Sequence, residues 1–487
     1  LPVTVLLHCQ TRNKMLNIKH ILTLSTLTAA TLTAIAQNKG WTLKACIDTG
    51  IQRNISLKQG QVTNTIDAIN LEQSKANLYP AVNITDAPGF SFGKTQNSTG
   101  EYVAENTSSN SFALTANVTL YNGLSYQNAI HENNYNYQAG VQSVEITKNN
   151  ISLNILTAYM QVLANYEGVD IAESQMQATQ AQIEQTKIYV QAGKYPELNL
   201  LQIQSQLASD KLAKVNAENQ LKLAKVNLMQ LMNLPIDYSF ETERPAGIDS
   251  LLNLTALTTN DIYNTATGFL PQVKNAQLIT QAGASGVKVA QSLYYPKLTM
   301  SGSIRSTGNS LIYNEYYQEG TIGFVEPNPA EQVVGYNLES SSSNNFSNLW
   351  SQLNSNFNQF IGFNLSIPIF NSFIAKNTVA IAKLNMKNAQ LNEEAVKITL
   401  RQTIEQAYTN LLAAAEQYSA SKDALTSEEE TFNNMDKKFK VGLENATDYL
   451  IEKSNYTKAQ QNVAQAKYNY LLQVKLVDFY LGKPLTF

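Results

Sequence analysis

The stretch Val441-Gly442-Leu443-Glu444-Asn445-Ala446-Thr447-Asp448-Tyr449-Leu450 decides the fold, because the chain carries the same pattern twice. Its counterpart, Ala192-Gly193-Lys194 followed by Asn199-Leu200-Leu201, stands 249 residues earlier, and the same spacing relates Tyr159 to Tyr408 and Pro235 to Pro484. A duplication on this scale makes each half one structural unit, residues 37–250 and residues 251–487.

Each glycine closes a long segment with helical character. Leu124 to Gln191 contains no proline and only Gly140 and Gly168; as a helix rising ~1.5 Å per residue it would reach about 100 Å. Ile155, Tyr159, Val162, Tyr166 and Val169 advance by fours and threes, the heptad rhythm of packed helices, and Ile404, Tyr408, Leu411, Ala415 and Tyr418 answer them. Gly193 and Gly442 suit the left-handed position just past a helix end, with a return helix starting a few residues later. Lys437, Lys438 and Lys440 in the last turn complement the helix dipole.

Upstream of each long helix the pattern changes to alternation. Leu78-Tyr79-Pro80-Ala81 matches Tyr294-Tyr295-Pro296-Lys297, and Tyr121-Asn122-Gly123 matches Phe370-Asn371-Ser372. Between these anchors the second copy carries extra sequence, including Tyr313 to Asn356, which is rich in Asn, Ser, Tyr and Glu and reads as an exposed loop. Four strands are predicted, at about 81–93, 110–121, 297–306 and 357–370. Phe112, Leu114, Ala116, Val118 and Leu120 interleave with Ser111, Thr115, Asn117 and Thr119; Phe357, Ile361, Phe363, Leu365, Ile367 and Ile369 interleave with Asn358, Asn364 and Ser366. Val82, Ile84, Phe90 and Phe92, and then Leu298, Met300 and Ile304, mark the other two. Each strand is of the ~10 residues that cross a bilayer, with one face for lipid and one for a polar lumen. Tyr79, Tyr121, Tyr294, Tyr295 and Phe370 lie at the strand ends, where interfacial aromatic belts belong. A soluble sandwich with one buried face would produce the same alternation. A membrane barrel from this chain needs partners, because single-chain bacterial barrels take at least ~8 strands and open strand edges are not tolerated in lipid.

Composition narrows the function. Charged residues make up 15% of the chain and the net charge is −3, so there is no electrostatic footprint for nucleic acid. From Met15, a segment with Lys19 and His20 precedes the apolar, Thr-rich run Ile21 to Ile35 and the Ala34-Ile35-Ala36 site. This pattern predicts a signal peptide at 15–36, with Leu1 to Lys14 upstream of the true start. Cleavage there leaves Cys46 as the lone cysteine, which excludes an intrachain disulfide and reads as a buried helix residue. Gly89-Phe90-Ser91-Phe92-Gly93-Lys94-Thr95 approaches a phosphate loop but is one residue short and sits in a strand pattern. His131 is the one histidine past the predicted signal, which argues against a metal cluster, a histidine triad and enzymatic function in general. No cofactor is expected.

The duplicated helix–strand–strand–helix order, the Tyr-Pro strand entries, the Tyr121-Asn122-Gly123 and Phe370-Asn371-Ser372 exits and the Val441-Gly442-Leu443 tip with Asp448-Tyr449-Leu450 resemble the TolC-like outer membrane efflux family. The resemblance covers about Trp41 to Phe487. It implies an α+β membrane protein: a homotrimer whose four strands per chain build one twelve-stranded barrel in outer-membrane lipid, continued by a coiled-coil helical tunnel in the periplasm of a Gram-negative bacterium. It further implies a passive channel for efflux or type I secretion, joined to a periplasmic adaptor and an inner-membrane transporter. Carried over residue by residue, the family's aperture aspartate falls on Asp448, with Asn199 as its uncharged first-copy equivalent; a further acidic position falls on Ile451. The family's lock tyrosine and arginine fall on Phe439 and Glu444, so that lock cannot form in the same way. The tips Ala192, Gly193, Lys194 and Val441, Gly442, Leu443 are the expected adaptor contacts.

Two readings compete with this one. Glu444 and Asp448, four apart, would serve the helix dipole equally well as a solvated acidic face. A periplasmic adaptor or a coiled-coil surface structural protein would also carry heptads, but an adaptor would carry one hairpin within small β-domains, and a fibre would lack the glycine tips and the duplication.

Overall fold

The computed structural model describes residues 40–96, 100–245, 258–309, 313–325, 328–342 and 349–486; the predicted leader and signal peptide lie outside them. The elements run α1 (Leu43–Arg53), α2 (Ile55–Ala76), β1 (Ala81–Gln96), β2 (Tyr102–Asn122), α3 (Ser125–Gln191), α4 (Glu197–Leu231), α5 (Thr259–Phe269), α6 (Pro271–Gln291), β3 (Lys297–Asn309), β4 (Tyr313–Val325), β5 (Asn328–Ser342), α7 (Leu349–Ser355), β6 (Asn358–Ser366), α8 (Ile374–Val441) and α9 (Ala446–Tyr480). The helices of the two halves match outside the insertion: α3 and α8 have 67 and 68 residues, and α4 and α9 have 35 each. Likewise α1 and α5 have 11 residues each, and α2 and α6 have 22 and 21.

The chain divides into two compact units, and each draws on both copies. One comprises the described residues of Leu1–Asn54, Lys148–Ala266 and Thr403–Phe487; the other comprises Ile55–Thr147 and Thr267–Gln402. The second unit holds an antiparallel sheet in the order β1-β2-β3-β6. Its register aligns apolar residues in rows: Val82–Ala116–Gly302–Ile361, Ile84–Leu114–Ile304, and Val118–Met300–Phe363. Strand side chains alternate between faces, so the opposite face carries the mostly polar rows Asn83–Thr115–Ser303–Phe360, Asn117–Ser301–Gly362 and Thr119–Thr299–Asn364. Val82, Ile84, Phe90, Phe92, Ile361, Phe363 and Leu365 are exposed, as are Tyr79, Tyr121, Tyr294, Tyr295 and Phe370 at the strand ends. Phe357, Ile367 and Ile369 fall outside β6, which is shorter than predicted, and Leu120 sits at a register shift in β2.

The inserted segment departs from the expected loop. It forms a separate two-stranded antiparallel sheet, β4 with β5, followed by α7. Its two strands carry no regular apolar alternation, so a hydrophobicity pattern passes over them. Ser306 donates to the Leu353 carbonyl and Asn356 donates to the Thr307 carbonyl at 2.7 Å, which ties α7 to the end of β3.

Each strand-to-helix exit turns through two consecutive left-handed residues, Gly123-Leu124 in one copy and Ser372-Phe373 in the other. Only glycine fits the first: a Cβ at 123 would lie 2.7 Å from the Tyr295 Cβ and 3.0 Å from the Ser292 carbonyl oxygen.

In the first unit the heptad stripe of α3 is core. Ile155, Tyr159, Val162 and Tyr166 are buried, whereas the answering Tyr408, Ala415 and Tyr418 of α8 are half-buried. The Tyr159 hydroxyl donates to the Trp41 carbonyl (3.1 Å) and the Glu243 carbonyl (2.7 Å), pinning both segments to α3. Cys46 is fully buried in α1, and burial pushes its thiol up to about 12, which removes it from thiolate chemistry. Removing the Tyr159 hydroxyl leaves the part-buried Glu243 carbonyl short of this donor, while the Trp41 carbonyl keeps the Glu243 N–H at 3.0 Å, so Tyr159→Phe should lower stability by about 1–3 kcal/mol in thermal or denaturant unfolding. An unchanged midpoint would mean that water replaces the hydroxyl. Among the described residues no helix is long and apolar enough to cross a membrane, and no group of three or more His, Cys, Asp or Glu could hold a metal ion.

Candidate functional site: the paired helical tips

Both long helices end in the same hydrogen-bonded turn. The Lys194 N–H reaches the Tyr189 carbonyl (2.8 Å) and the Gly193 N–H reaches Val190 (3.0 Å); in the second copy Leu443 reaches Lys438 and Gly442 reaches Phe439, both at 3.0 Å. Gly193 and Gly442 have φ of +65° and +85°, the left-handed position this cap requires.

The two tips pack on one another through aromatic rings. Phe439 is 0% exposed and stacks between Tyr195 (centroids 5.4 Å) and Tyr449 (4.6 Å), with Ile183, Ile203 and Ala446 completing the cluster. The Tyr195 hydroxyl donates to the Phe439 carbonyl. The Lys194 ammonium donates to the Lys440 carbonyl (3.2 Å) and lies 4.5 Å from the Tyr189 ring, and Gln202 donates to the Thr447 hydroxyl at 3.2 Å.

Phe439, where the family's lock tyrosine falls, is thus buried inside the tip. Glu444 lies in the turn before α9. It precedes the N-cap of α9, so it shares no helix face with Asp448, and its carboxylate pairs with Lys438 at 3.3 Å. Asp448 is exposed in the first turn of α9. The Asn445 side-chain oxygen accepts from the Asp448 N–H (2.9 Å), and the Asn445 amide donates to the Asp448 carboxylate (2.6 Å), a local cap in which the acid also favours the helix dipole. The first copy has Pro196 at the corresponding position, with no side-chain cap, and Asn199 follows it half-buried. Ile451 is exposed. Ala192, Gly193, Lys194, Val441, Gly442 and Leu443 are all exposed and form the end of the tip.

One constellation escaped the sequence reading. Just behind the tip the Lys453 ammonium donates to the Thr179 hydroxyl, which in turn donates to Asp210, and Gln206 donates to the other Asp210 oxygen at 2.8 Å. A signal was present: Lys453 continues the buried spacing of Ala446 and Tyr449, and Asp210 lies one heptad past buried Ile203.

A family model described as "Outer membrane efflux protein" matches residues 48–234 and 331–483. The outer membrane protein TolC of Escherichia coli (strain K12) is 22% identical over 360 residues, which cover 71% of this chain and 64% of that protein. The chain thus spans less than two thirds of the length of this relative. Among solved structures, CusC superposes with a TM-score of 0.73 at 17% identity, covering 93% of this chain and 96% of that one. The outer membrane protein VceC of Vibrio cholerae gives 0.68 at 14% identity, covering 91% and 96%. The fold is therefore the one these proteins share.

Proposed function

The chain belongs to the outer membrane efflux protein family, and from that premise we propose that it is the outer-membrane channel of a tripartite export system, with its helices in the periplasm. The family is one of channels rather than enzymes. The observation that carries this reading is the sheet β1-β2-β3-β6, which has one exposed apolar face and whose outer edges, on β1 and β6, have no partner strand among the described residues. Unpaired backbone N–H and C=O groups are untenable in hydrocarbon. Because the strands alternate in direction, β6 of one copy can pair antiparallel with β1 of the next, and three copies close twelve strands with no edge left.

The helices of the same unit support the assembly. Ile55, Val62, Ile66 and Ile69 on α2, and Ile374, Ile381, Leu384, Leu391 and Ile398 on α8, form exposed stripes at helical spacing that neighbouring copies would cover. The expected result is an outer-membrane trimer that survives unheated gel electrophoresis. A soluble or inner-membrane species would favour an adaptor or a surface fibre.

The exposed tips, Ala192 to Lys194 and Val441 to Leu443, are the proposed docking end for a periplasmic adaptor and, through it, an inner-membrane transporter. In a trimer Asp448 would supply a ring of three carboxylates at the aperture, attractive to cations. Asp448→Asn keeps an acceptor for the Asn445 amide while removing the charge, so it separates the two roles. Cation-over-anion selectivity in planar bilayers should fall several-fold; selectivity equal to wild type would leave Asp448 as a helix cap alone.

A further inference from the structure

Lysine is seldom fully buried without a countercharge, yet Lys453 is 2% exposed in the middle of a helical bundle. The groups around it come from each neighbouring helix. From α3 the Thr179 hydroxyl accepts its proton; from α4 Asp210, 5% exposed, faces it beyond Thr179; from α8 Asp436, itself paired with Lys440 at 2.6 Å, adds a second negative charge. The network thus joins the first-copy hairpin, α3 and α4, to the second-copy hairpin, α8 and α9. It is incompletely satisfied: along the same face of α3, the Gln182 amide nitrogen and the Thr186 hydroxyl are buried without partners. Such groups gain when water reaches them.

We propose that Lys453 is a gate-positioning residue: through Thr179 and Asp210 its ammonium fixes the second tip hairpin against the first, and its protonation sets how readily the two part. The inference rests on the channel reading in one respect, that parting of the hairpins widens the aperture.

The direction of the effect follows from linkage. Burial, only partly offset by Asp210 and Asp436, holds Lys453 down at about 8 in the packed joint. If the hairpins part and water enters, the amine returns toward the ordinary lysine value of ~10.4. The parted form then binds the extra proton, so the full cost of packing a charged Lys453 is present below about pH 8 and is relieved as pH rises toward 10. Alkaline pH should therefore hold the joint closed.

The test records single-channel conductance of the full-length trimer between pH 7 and pH 10, beside the double variant Lys453→Met with Asp210→Leu. Opening of the wild type should fall by up to roughly 60-fold over that range, and the variant, which exchanges the buried pair for apolar packing, should show a flat profile. A flat wild-type profile, or a variant that keeps the slope, would overturn the proposal. Hydrogen exchange of the α9 amides from Ala446 to Thr457, corrected for intrinsic rates, decides the joint independently of conductance. Protection should rise with pH in the wild type and not in the variant; equal behaviour refutes the joint. Absence of conductance at every pH with an intact exchange response would instead remove the channel reading.

Discussion

Ile361→Arg should abolish the trimer, whereas Ser301→Arg on the adjoining strand should leave it assembled with altered conductance. Ile361 lies in the middle of β6, is 72% exposed, and stands in the row Val82–Ala116–Gly302–Ile361. If that face meets lipid, a guanidinium there costs roughly 2–4 kcal/mol per chain, and a threefold assembly carries the penalty three times. Ser301 belongs to the opposite row, with Asn117 and Gly362. On a water-filled lumen an arginine is solvated, and its charge acts on passing ions rather than on stability. Unheated gel electrophoresis of membrane fractions and bilayer recordings read the two outcomes. An assembled Ile361→Arg trimer together with a lost Ser301→Arg trimer would reverse the two faces.

The architecture was legible where physics imposes a strict period. The heptads around Tyr159, the prolines that precede β1 and β3, and the tip glycines each leave one residue type at a fixed place, and copying them made the pattern harder to mistake. The β4–β5 hairpin has the sequence of a loop because its strands carry no apolar period, which leaves only their polar composition to go by. At the tip, sequence could place Phe439, Glu444 and Asp448 in line but could not tell which side chains turn inward. Asn445 sets the two acids: as N-cap it begins α9 at Ala446, leaving Glu444 in the turn and directing Asp448 to the cap, while Phe439 is turned inward by its stacking on Tyr195 and Tyr449. The Lys453–Thr179–Asp210 network was missed because a lysine and an aspartate 243 positions apart in the chain are paired only by the tertiary contact.

Phe439→Ala should be the most damaging single change at the tip, lowering the stability of the first unit by about 3–5 kcal/mol. The ring is fully enclosed, touches Tyr195 and Tyr449 on either side, and is the point where the first-copy and second-copy tips meet. Truncation removes the apolar burial, leaves a cavity, and deprives Tyr195 of the stacking partner that orients its hydroxyl toward the Phe439 carbonyl. Phe439→Leu fills most of the volume and should cost less than half as much. Phe439→Tyr restores the residue type of the family lock but brings a hydroxyl into a closed apolar pocket, at about 1–3 kcal/mol unless it finds a partner. Ile451→Ala, at an exposed position on the same hairpin, should stay within roughly 0.5 kcal/mol of wild type. Thermal unfolding and protease sensitivity of the tip read the series, in the order Ala worst, Tyr and Leu intermediate, Ile451→Ala neutral. A tolerated Phe439→Ala beside a destabilising Ile451→Ala would place the tip core on the other side of α9 and return Phe439 to the aperture.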